Sequence, residues 1–456
     1  VRRRGEGVAA AGDPQRLGEA MTGLTETFTR LAGIPATRRA GTMYAGRTPV
    51  YEECLRDGTI SFGESKLDGI REALGLMLTS ARWYTAAGAT FYQRLFAGIY
   101  RRRAAELGTD VVPFADFWLR AGETIARPPA RVTDLLIGAL QRRWAEVLAL
   151  PSDGTRRVRR TAADLAPAVA AAFPAGRPGW PTALQHSPDL MLAGDEWVLG
   201  ELHPGVNTLR YATWVAYHPE PDALRAGMTS DLGAGVVYPA ETGQEGGAPT
   251  RQSNALAGPD DLRLIYAHDS FGHDPMRSLR IGECDVVDSP TGLRVRSRDG
   301  RFDLDLMHVL GDLVGAGLCQ LFRLLPPAAH TPRITIDSLV VSRESWMFTA
   351  ADLAFAGTAD EALRFRQARA WATAHGLPRH VFFRCAGERK PIHADLTSLA
   401  SIDLVSRAVR RARRHGDDAV VGVAEMLPTP DQLWLHDADG RYTAELRVVA
   451  VDRRRG

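Results

Sequence analysis

At 456 residues the chain has room for about two to four domains and a large apolar core, so its folding requires no disulfide or metal staple. Hydrophobic residues at 45% and charged residues at 24% exclude disorder, collagen-like sequence and a membrane bundle. The 56 Lys and Arg against 54 Asp and Glu leave a formal charge of +2, which excludes a nucleic-acid-seeking polycation, so any basic site must be local.

Nothing apolar follows Val1-Arg-Arg-Arg-Gly-Glu-Gly7, so no signal peptide is read and a cytoplasmic chain without membrane insertion is expected. Cys54, Cys284, Cys319 and Cys385 are far apart and form no close pair, which predicts buried free thiols and no metal. Only Lys66 and Lys390 are lysines, and every other basic residue is an arginine. Arginine abundance by itself therefore carries little information, and position has to decide which guanidinium groups matter.

Asp13-Pro14 predicts a helix start, and Leu17, Met21, Leu24, Phe28 and Leu31 recur at helical spacing until Gly33-Ile34-Pro35. A glycine-punctuated extended segment, Gly41 to Cys54, follows. Leu67, Ile70, Leu74 and Leu78 then open a helical region that runs, with breaks, through Tyr100. Residues 1–150 are read as mainly helical. Residues 151–182 form a Pro, Gly and Arg-rich surface excursion around an alanine-rich helix, and residues 183–456 are read as sheet-rich.

In that last part, Asp189 to Ala193 and Glu196 to His203 predict two strands joined at Gly194-Asp195. Asp299-Gly300 predicts a second hairpin that sets Arg296 opposite Asp303 and Arg294 opposite Asp305, with Leu293, Val295, Phe302, Leu304 and Leu306 on the core side. Residues 307–325 read as a buried helix in which Gly311, Gly315 and Gly317 admit a close neighbour. One strand is expected over Arg333 to Val341, with Arg333 and Asp337 on one face. A Thr358 and Glu361 capping box opens a helix ending near His375-Gly376. Strands at His380 to Cys385 and Ile392 to Leu396, an Arg-rich helix to His415 and a hairpin at Asp439-Gly440 complete a mixed α+β chain. Its sheets are mainly antiparallel and its shape multi-lobed.

Several strings, in order, resemble the lantibiotic dehydratase family, in the later part of its N-terminal, tRNA-dependent glutamylation module. They are Tyr44-Ala-Gly-Arg-Thr-Pro-Val-Tyr-Glu-Glu-Cys54, Ser80-Ala-Arg-Trp83, Leu199-Gly-Glu-Leu-His-Pro-Gly-Val-Asn-Thr208, Pro332-Arg-Ile-Thr-Ile-Asp337 with Trp346, and Leu377-Pro-Arg-His-Val-Phe-Phe383 with Ala394-Asp-Leu396. The resemblance implies that a Ser or Thr hydroxyl of a ribosomally made precursor peptide attacks the ester of glutamyl-tRNA, which serves as co-substrate without a metal or nucleotide cofactor. It further implies that the elimination module and the earlier part of the glutamylation module are absent from this chain. A separate elimination-domain protein is then a partner, and a homodimer is possible. Two alternatives remain open at this stage: a non-catalytic or truncated subunit that binds peptide or tRNA, and a peptide aminoacyl-tRNA ligase.

Arginines suit tRNA phosphates and the glutamate carboxylate, and a polar group must orient or deprotonate the hydroxyl. Arg47, Arg210 and Arg333 are the candidate binding residues; Glu53, His203 and Asn207 are the candidate catalytic ones. In the resemblance Glu53 stands where the family usually has aspartate. His203, Glu201 and Asn207 make a polar cluster, read either as a proton-handling site or as turn groups satisfying the backbone. His186 and His218 lie too irregularly around His203 to signal a metal. The basic runs Arg156 to Arg160 and Arg407 to Arg414 are read as tRNA contacts or as solvated faces.

Overall fold

The computed structural model describes residues 10, 12–37, 58, 60–151, 153–240, 254–266, 273–388, 390–438 and 440–453. Asp13 caps helix α1 (Pro14–Ala32) by accepting the backbone N–H groups of Gln15 and Arg16, and Gly33 ends it in the left-handed conformation. The expected helical region from Leu67 to Tyr100 is one continuous helix, α2 (Glu64–Leu107). Its glycines cause no break because tertiary packing on Tyr84, Tyr92 and Phe96 outweighs their low propensity. Strand β1 (Val111–Pro113) and helices α3 (Phe114–Ala126) and α4 (Ala130–Leu148) complete this helical part.

The expected excursion supplies β2 (Arg157–Arg160) and α5 (Ala162–Ala172), so its arginine run is an edge strand. The first hairpin, β3 (Gln185–Ala193) and β4 (Glu196–Pro204), turns where expected, with Ala193 opposite Glu196. Helices α6 (Ala212–Val215) and α7 (Pro221–Leu232) lead to a small parallel sheet of β5 (Val237–Pro239), β6 (Leu262–Ile265) and β7 (Ser278–Arg280). Strands β8 (Cys284–Val287), β9 (Arg294–Ser297) and β10 (Asp303–Asp305) join β1 in an antiparallel sheet. Arg296 stands opposite Asp303 and Arg294 opposite Asp305, as read from the Asp299-Gly300 turn, yet both arginines pair with Asp303.

Helix α8 (Leu306–Cys319) is buried and ends earlier than expected. A Cβ on Gly311 would overlap the Trp180 side chain, which is the close approach its glycines predicted. The single strand expected over Arg333 to Val341 is instead a hairpin, because after the two-residue strand β11 (His330–Thr331) come β12 (Arg333–Ile336) and β13 (Leu339–Ser342), with Ile336 opposite Leu339. Asp337 makes the turn at φ 52°, a conformation that Asp tolerates, so the glycine that would announce a turn is missing. Arg333 and Asp337 consequently share no strand face.

Strand β14 (Ser345–Thr349) precedes α9 (Glu361–Ala374), which is capped by Asp360 rather than Thr358, since the Thr358 hydroxyl is donated to Gln367. Strands β15 (His380–Cys385) and β16 (Ile392–Asp395), helix α10 (Leu399–Ala412) and β17 (Val420–Glu425) follow. A hairpin of β18 (Leu435–Asp437) and β19 (Gly440–Tyr442) precedes the short β20 (Leu446–Arg447) and β21 (Ala450–Val451). A seven-stranded sheet runs β2-β12-β13-β4-β3-β20, with β21 also on β3; a five-stranded antiparallel sheet runs β11-β14-β17-β15-β16. Each has its own apolar core, the second formed with α9 and α10. Cys284, Cys319 and Cys385 are buried and free. Among the described residues no helix is long and apolar enough to cross a membrane.

The two sheets meet at Glu344, which is 0% exposed. Its carboxylate accepts from Arg156 Nε at 2.6 Å and Nη2 at 3.0 Å, from Arg157 Nη1 and from His330 Nε2 at 2.9 Å. Burial pushes the Glu344 pKa up, but these donors outweigh it and hold the group at about 2. Its stabilising contribution is therefore present above the unfolded pKa of about 4.3 and is lost as pH falls toward 2. Glu344→Gln is expected to cost about 3 kcal/mol at pH 7, because it removes the buried carboxylate charge that Arg156, Arg157 and His330 meet. Urea unfolding should show the deficit shrinking below pH of about 4, and an unchanged midpoint at pH 7 would remove this role. Gly311→Ala should likewise cost about 1–3 kcal/mol through the clash with Trp180, read as a lowered melting temperature.

Candidate functional site

The β3–β4 hairpin brings Asp189, Glu201 and His203 together near the sheet's end. Ser187 stands opposite His203, and a register shift between Pro188 and Leu190 brings Asp189 into reach of His203. His203 Nε2 and Asp189 Oδ2 are 3.0 Å apart. From the other side β20 pairs Arg447 with Asp189, and Arg447 Nη1 donates to the same Oδ2 at 2.5 Å. Arg447 Nη2 also meets Glu445 at 2.5 Å and its guanidinium lies 6.0 Å from the Trp214 ring. Asp189 is buried, His203 and Arg447 are partly open, and Trp214 and Glu201 face solvent. Glu201 Oε2 stands 3.8 Å from His203 Nε2.

Burial is the largest single influence on His203 and lowers its pKa, but the Asp189 hydrogen bond and charge, with contact to Cys319, raise it to about 9. At neutral pH the ring is therefore an imidazolium, a donor and a fixed positive charge, rather than the proton acceptor that an imidazole near pKa 6.5 would be. Burial likewise raises Glu445, helped by Asp189 and Glu201 and opposed by Arg447 and His203.

Behind this group lies a second, buried one. Arg210 makes a bidentate pair with Asp312 on α8, at 2.6 and 2.9 Å, and Thr182 donates to the same Asp312 at 3.2 Å. The guanidinium lies 5.5 Å from the Tyr238 ring and 5.9 Å from that of Tyr211. Two N–H···O⁻ bonds in one plane are the strong form of this contact, so Arg210 fastens α8 to the β4 exit. Asn207 belongs to the same buried layer: its Oδ1 accepts the Leu209 N–H at 2.9 Å and its Nδ2 donates to Gln185 at 3.2 Å. It supports the turn and makes no bond to His203.

The other expected site residues are placed differently. Arg47 and Glu53 lie outside the described residues. Arg333 stands on β12, with β13 between it and β4, and is held by Glu425 at 2.8 and 2.5 Å. In the arginine run of β2, Arg156 and Arg157 meet Glu344, Arg159 meets Glu196, and Arg160 donates to the Leu148 carbonyl. In the run on α10, Arg407 pairs with Asp403, Arg410 donates to the Ala356 carbonyl and Arg411 pairs with Glu388. Asp189, Arg447 and Glu445 went unselected in the sequence. An aspartate opening the apolar run Leu190 to Ala193 was the one signal for Asp189; Arg447, 258 residues away on a two-residue strand, gave none.

Asp189, Glu201 and His203 each offer one ligand atom, all within 4.8 Å of one another. Arg447 and the His203 imidazolium already supply the positive charge there, so a metal ion would have to displace both. His186 and His218 take no part: each accepts a backbone N–H through Nδ1, from Gly205 at 3.1 Å and Glu220 at 3.0 Å.

With this geometry in place, residues 318–403 match the family described as lantibiotic dehydratase, N terminus. The similarity to that family lies in this one segment, which runs from the end of α8 to α10. Among solved structures, the glutamylation domain TbtB from thiomuracin biosynthesis shares the fold at a TM-score of 0.51 and 18% identity, over 84% of this chain and 50% of that one. The same domain bound to 5'-phosphodesmethylglutamycin gives 0.52 and 19% over the same shares. The tRNA-dependent lantibiotic dehydratase MibB from Microbispora sp. 107891 gives 0.47 and 14%, over 69% and 32%. The chain thus spans about half the length of the TbtB structures. No curated protein matches it by sequence. The α+β architecture expected from the sequence is the one found, and it is that of the TbtB glutamylation domain.

His203 and His186 give opposite titrations in this chain. His186 is buried, which lowers it to about 4, with Asp452 opposing and Arg82 assisting. NMR of the imidazole nitrogens should find His203 charged and His186 neutral at pH 7. Because folding raises the His203 pKa, its stabilisation is complete below about pH 6.5 and fades as pH rises through 9. A His203 midpoint at or below 6.5 would refute the tight Asp189 pairing.

Proposed function

We propose that this chain acts in aminoacyl transfer, moving glutamate from glutamyl-tRNA to Ser or Thr side chains of a ribosomally made precursor peptide, as the first step of dehydration. The match of residues 318–403 to the lantibiotic dehydratase N terminus carries this reading. The TbtB-like fold supports it. Glutamyl-tRNA is the co-substrate, no metal or nucleotide cofactor takes part, the work is done in the cytoplasm, and a separate protein eliminates the glutamate. A homodimer fits the same reading.

In the transfer, the peptide hydroxyl oxygen bonds to the ester carbonyl carbon, the bond from that carbon to the tRNA ribose oxygen breaks, and the hydroxyl proton ends on the ribose oxygen. Negative charge grows on the carbonyl oxygen, and the His203 imidazolium and Arg447 are the cations placed to stabilise it. Exposed Glu201, beside His203, is the carboxylate able to carry the proton. Trp214 offers an open ring against which a base or ribose can pack. Arg47, Glu53 and Arg333 remain candidates for tRNA or glutamate contacts. Arg210 and Asn207 act by holding the β4 exit in shape.

The test is mass spectrometry of a cognate precursor peptide after incubation with this chain and glutamyl-tRNA. Side-chain esters cleaved by mild base are expected, and His203→Gln should slow their formation by about 10²-fold without unfolding the chain. A stable extension at the peptide C-terminus would instead identify a peptide aminoacyl-tRNA ligase. Binding of peptide or tRNA with no adduct would leave a binding subunit.

A further inference from the structure

Strands β15 and β16 form the outer edge of the five-stranded sheet, with His380 opposite Asp395 and Phe382 opposite His393. Alternation then sends Val381, Phe383 and Ala394 into the core, where all three are buried, and leaves His380, Phe382, His393 and Asp395 on the outer face. His380 and His393 are diagonal neighbours there, His380 half-buried and His393 exposed. Their rings are stacked at 14°, and Nδ1 of His380 lies 3.3 Å from Nε2 of His393.

We propose that His380 and His393 form a zinc-binding clip on the outer face of this sheet, tying edge strand β16 to β15. Two imidazole nitrogens at Zn–N distances of about 2.0–2.1 Å in a tetrahedral site stand about 3.3 Å apart, which is the spacing found. A square-planar ion would draw them closer, to about 2.8 Å, so the spacing favours zinc. The exposed His393 ring is able to turn about χ2 and aim its lone pair at a point shared with His380.

The surroundings favour an ion as well. Asp395 is taken by Arg379 at 2.8 Å and by the Thr397 hydroxyl at 2.6 Å, which keeps Arg379 off the two rings. The contrast with the Asp189 group is direct: among the described residues no arginine donates to either ring nitrogen of this pair. Waters complete the coordination. Because protons compete for the same ring nitrogens, binding weakens on acidification.

Isothermal titration of the whole chain with zinc chloride at pH 7.5 tests this. One site of micromolar affinity is expected, with no heat from Mg²⁺ at the same concentration. His380→Gln and His393→Gln should each weaken zinc binding at least about tenfold. His393 is exposed, so His393→Gln should keep the metal-free melting temperature while losing its rise with zinc. Zinc affinity weaker than about 1 mM, or a double variant that binds like the parent, overturns the proposal.

Discussion

Two buried carboxylates hold this molecule in one piece. Glu344 and Glu425 lie where the seven-stranded and five-stranded sheets meet, and both are almost fully removed from water. Each would be costly there alone, since an ion without partners loses its hydration for nothing. Arg156, Arg157 and His330 surround Glu344, and Arg333 makes a fork on Glu425. The backbone closes the node, as the Glu344 N–H reaches the Glu425 carboxylate at 2.7 Å and the Glu425 N–H reaches the Glu344 carbonyl at 3.0 Å. The two apolar cores are separate clusters, so this polar junction, rather than shared hydrophobic packing, fixes how β12 and β13 meet β14 and β17.

The consequence reaches the candidate site through strand pairing. β13 lies parallel to β4, with Leu339 beside Trp197, β4 pairs with β3, and β3 pairs with β20. A register slip at β13 would carry His203 away from the sheet position that faces Asp189 and Arg447. Positioning of a few ångströms decides whether a cation stabilises a developing oxyanion. The ion-pair node and the His203 group are thus two ends of one stack of strands.

How much was readable in the sequence follows from which residues carry local information. Asp299-Gly300 and Gly194-Asp195 announce their turns, so both hairpins come out of the sequence, with the register of the first, whereas the shift between Pro188 and Leu190 has no such marker. The glycines of α8 announce a close approach, and Trp180 is what approaches. The turn at Asp337-Ser338 has no such marker, and the apolar residues on either side read as one strand. Strands β20 and β21 are two residues long and exist only because β3 is there to pair with them. The string Leu199 to Thr208 lies on β4 and in the turn that follows it. It linked His203 to Asn207, whereas the fold links His203 to Asp189 across the bulge and gives Asn207 to Gln185.

Arginine usage resolves the remaining ambiguity of composition. In a chain with two lysines, runs such as Arg156 to Arg160 look like surface charge awaiting an anionic partner. Folded, these guanidinium groups meet Glu344, Glu196 and the carbonyls at the end of α4, and Arg156 does so with the planar fork that lysine lacks. Arg156, Arg157, Arg210 and Arg333 neutralise buried carboxylates. Arg447 belongs to that group too, but with a difference: it shares Asp189 with a second cation, His203, beside an open tryptophan. One carboxylate oxygen then balances two positive groups at the edge of the sheet. In the proposed transfer, a carbonyl gaining negative charge would meet donors already fixed in place by Asp189, so that step would need no rearrangement of the protein.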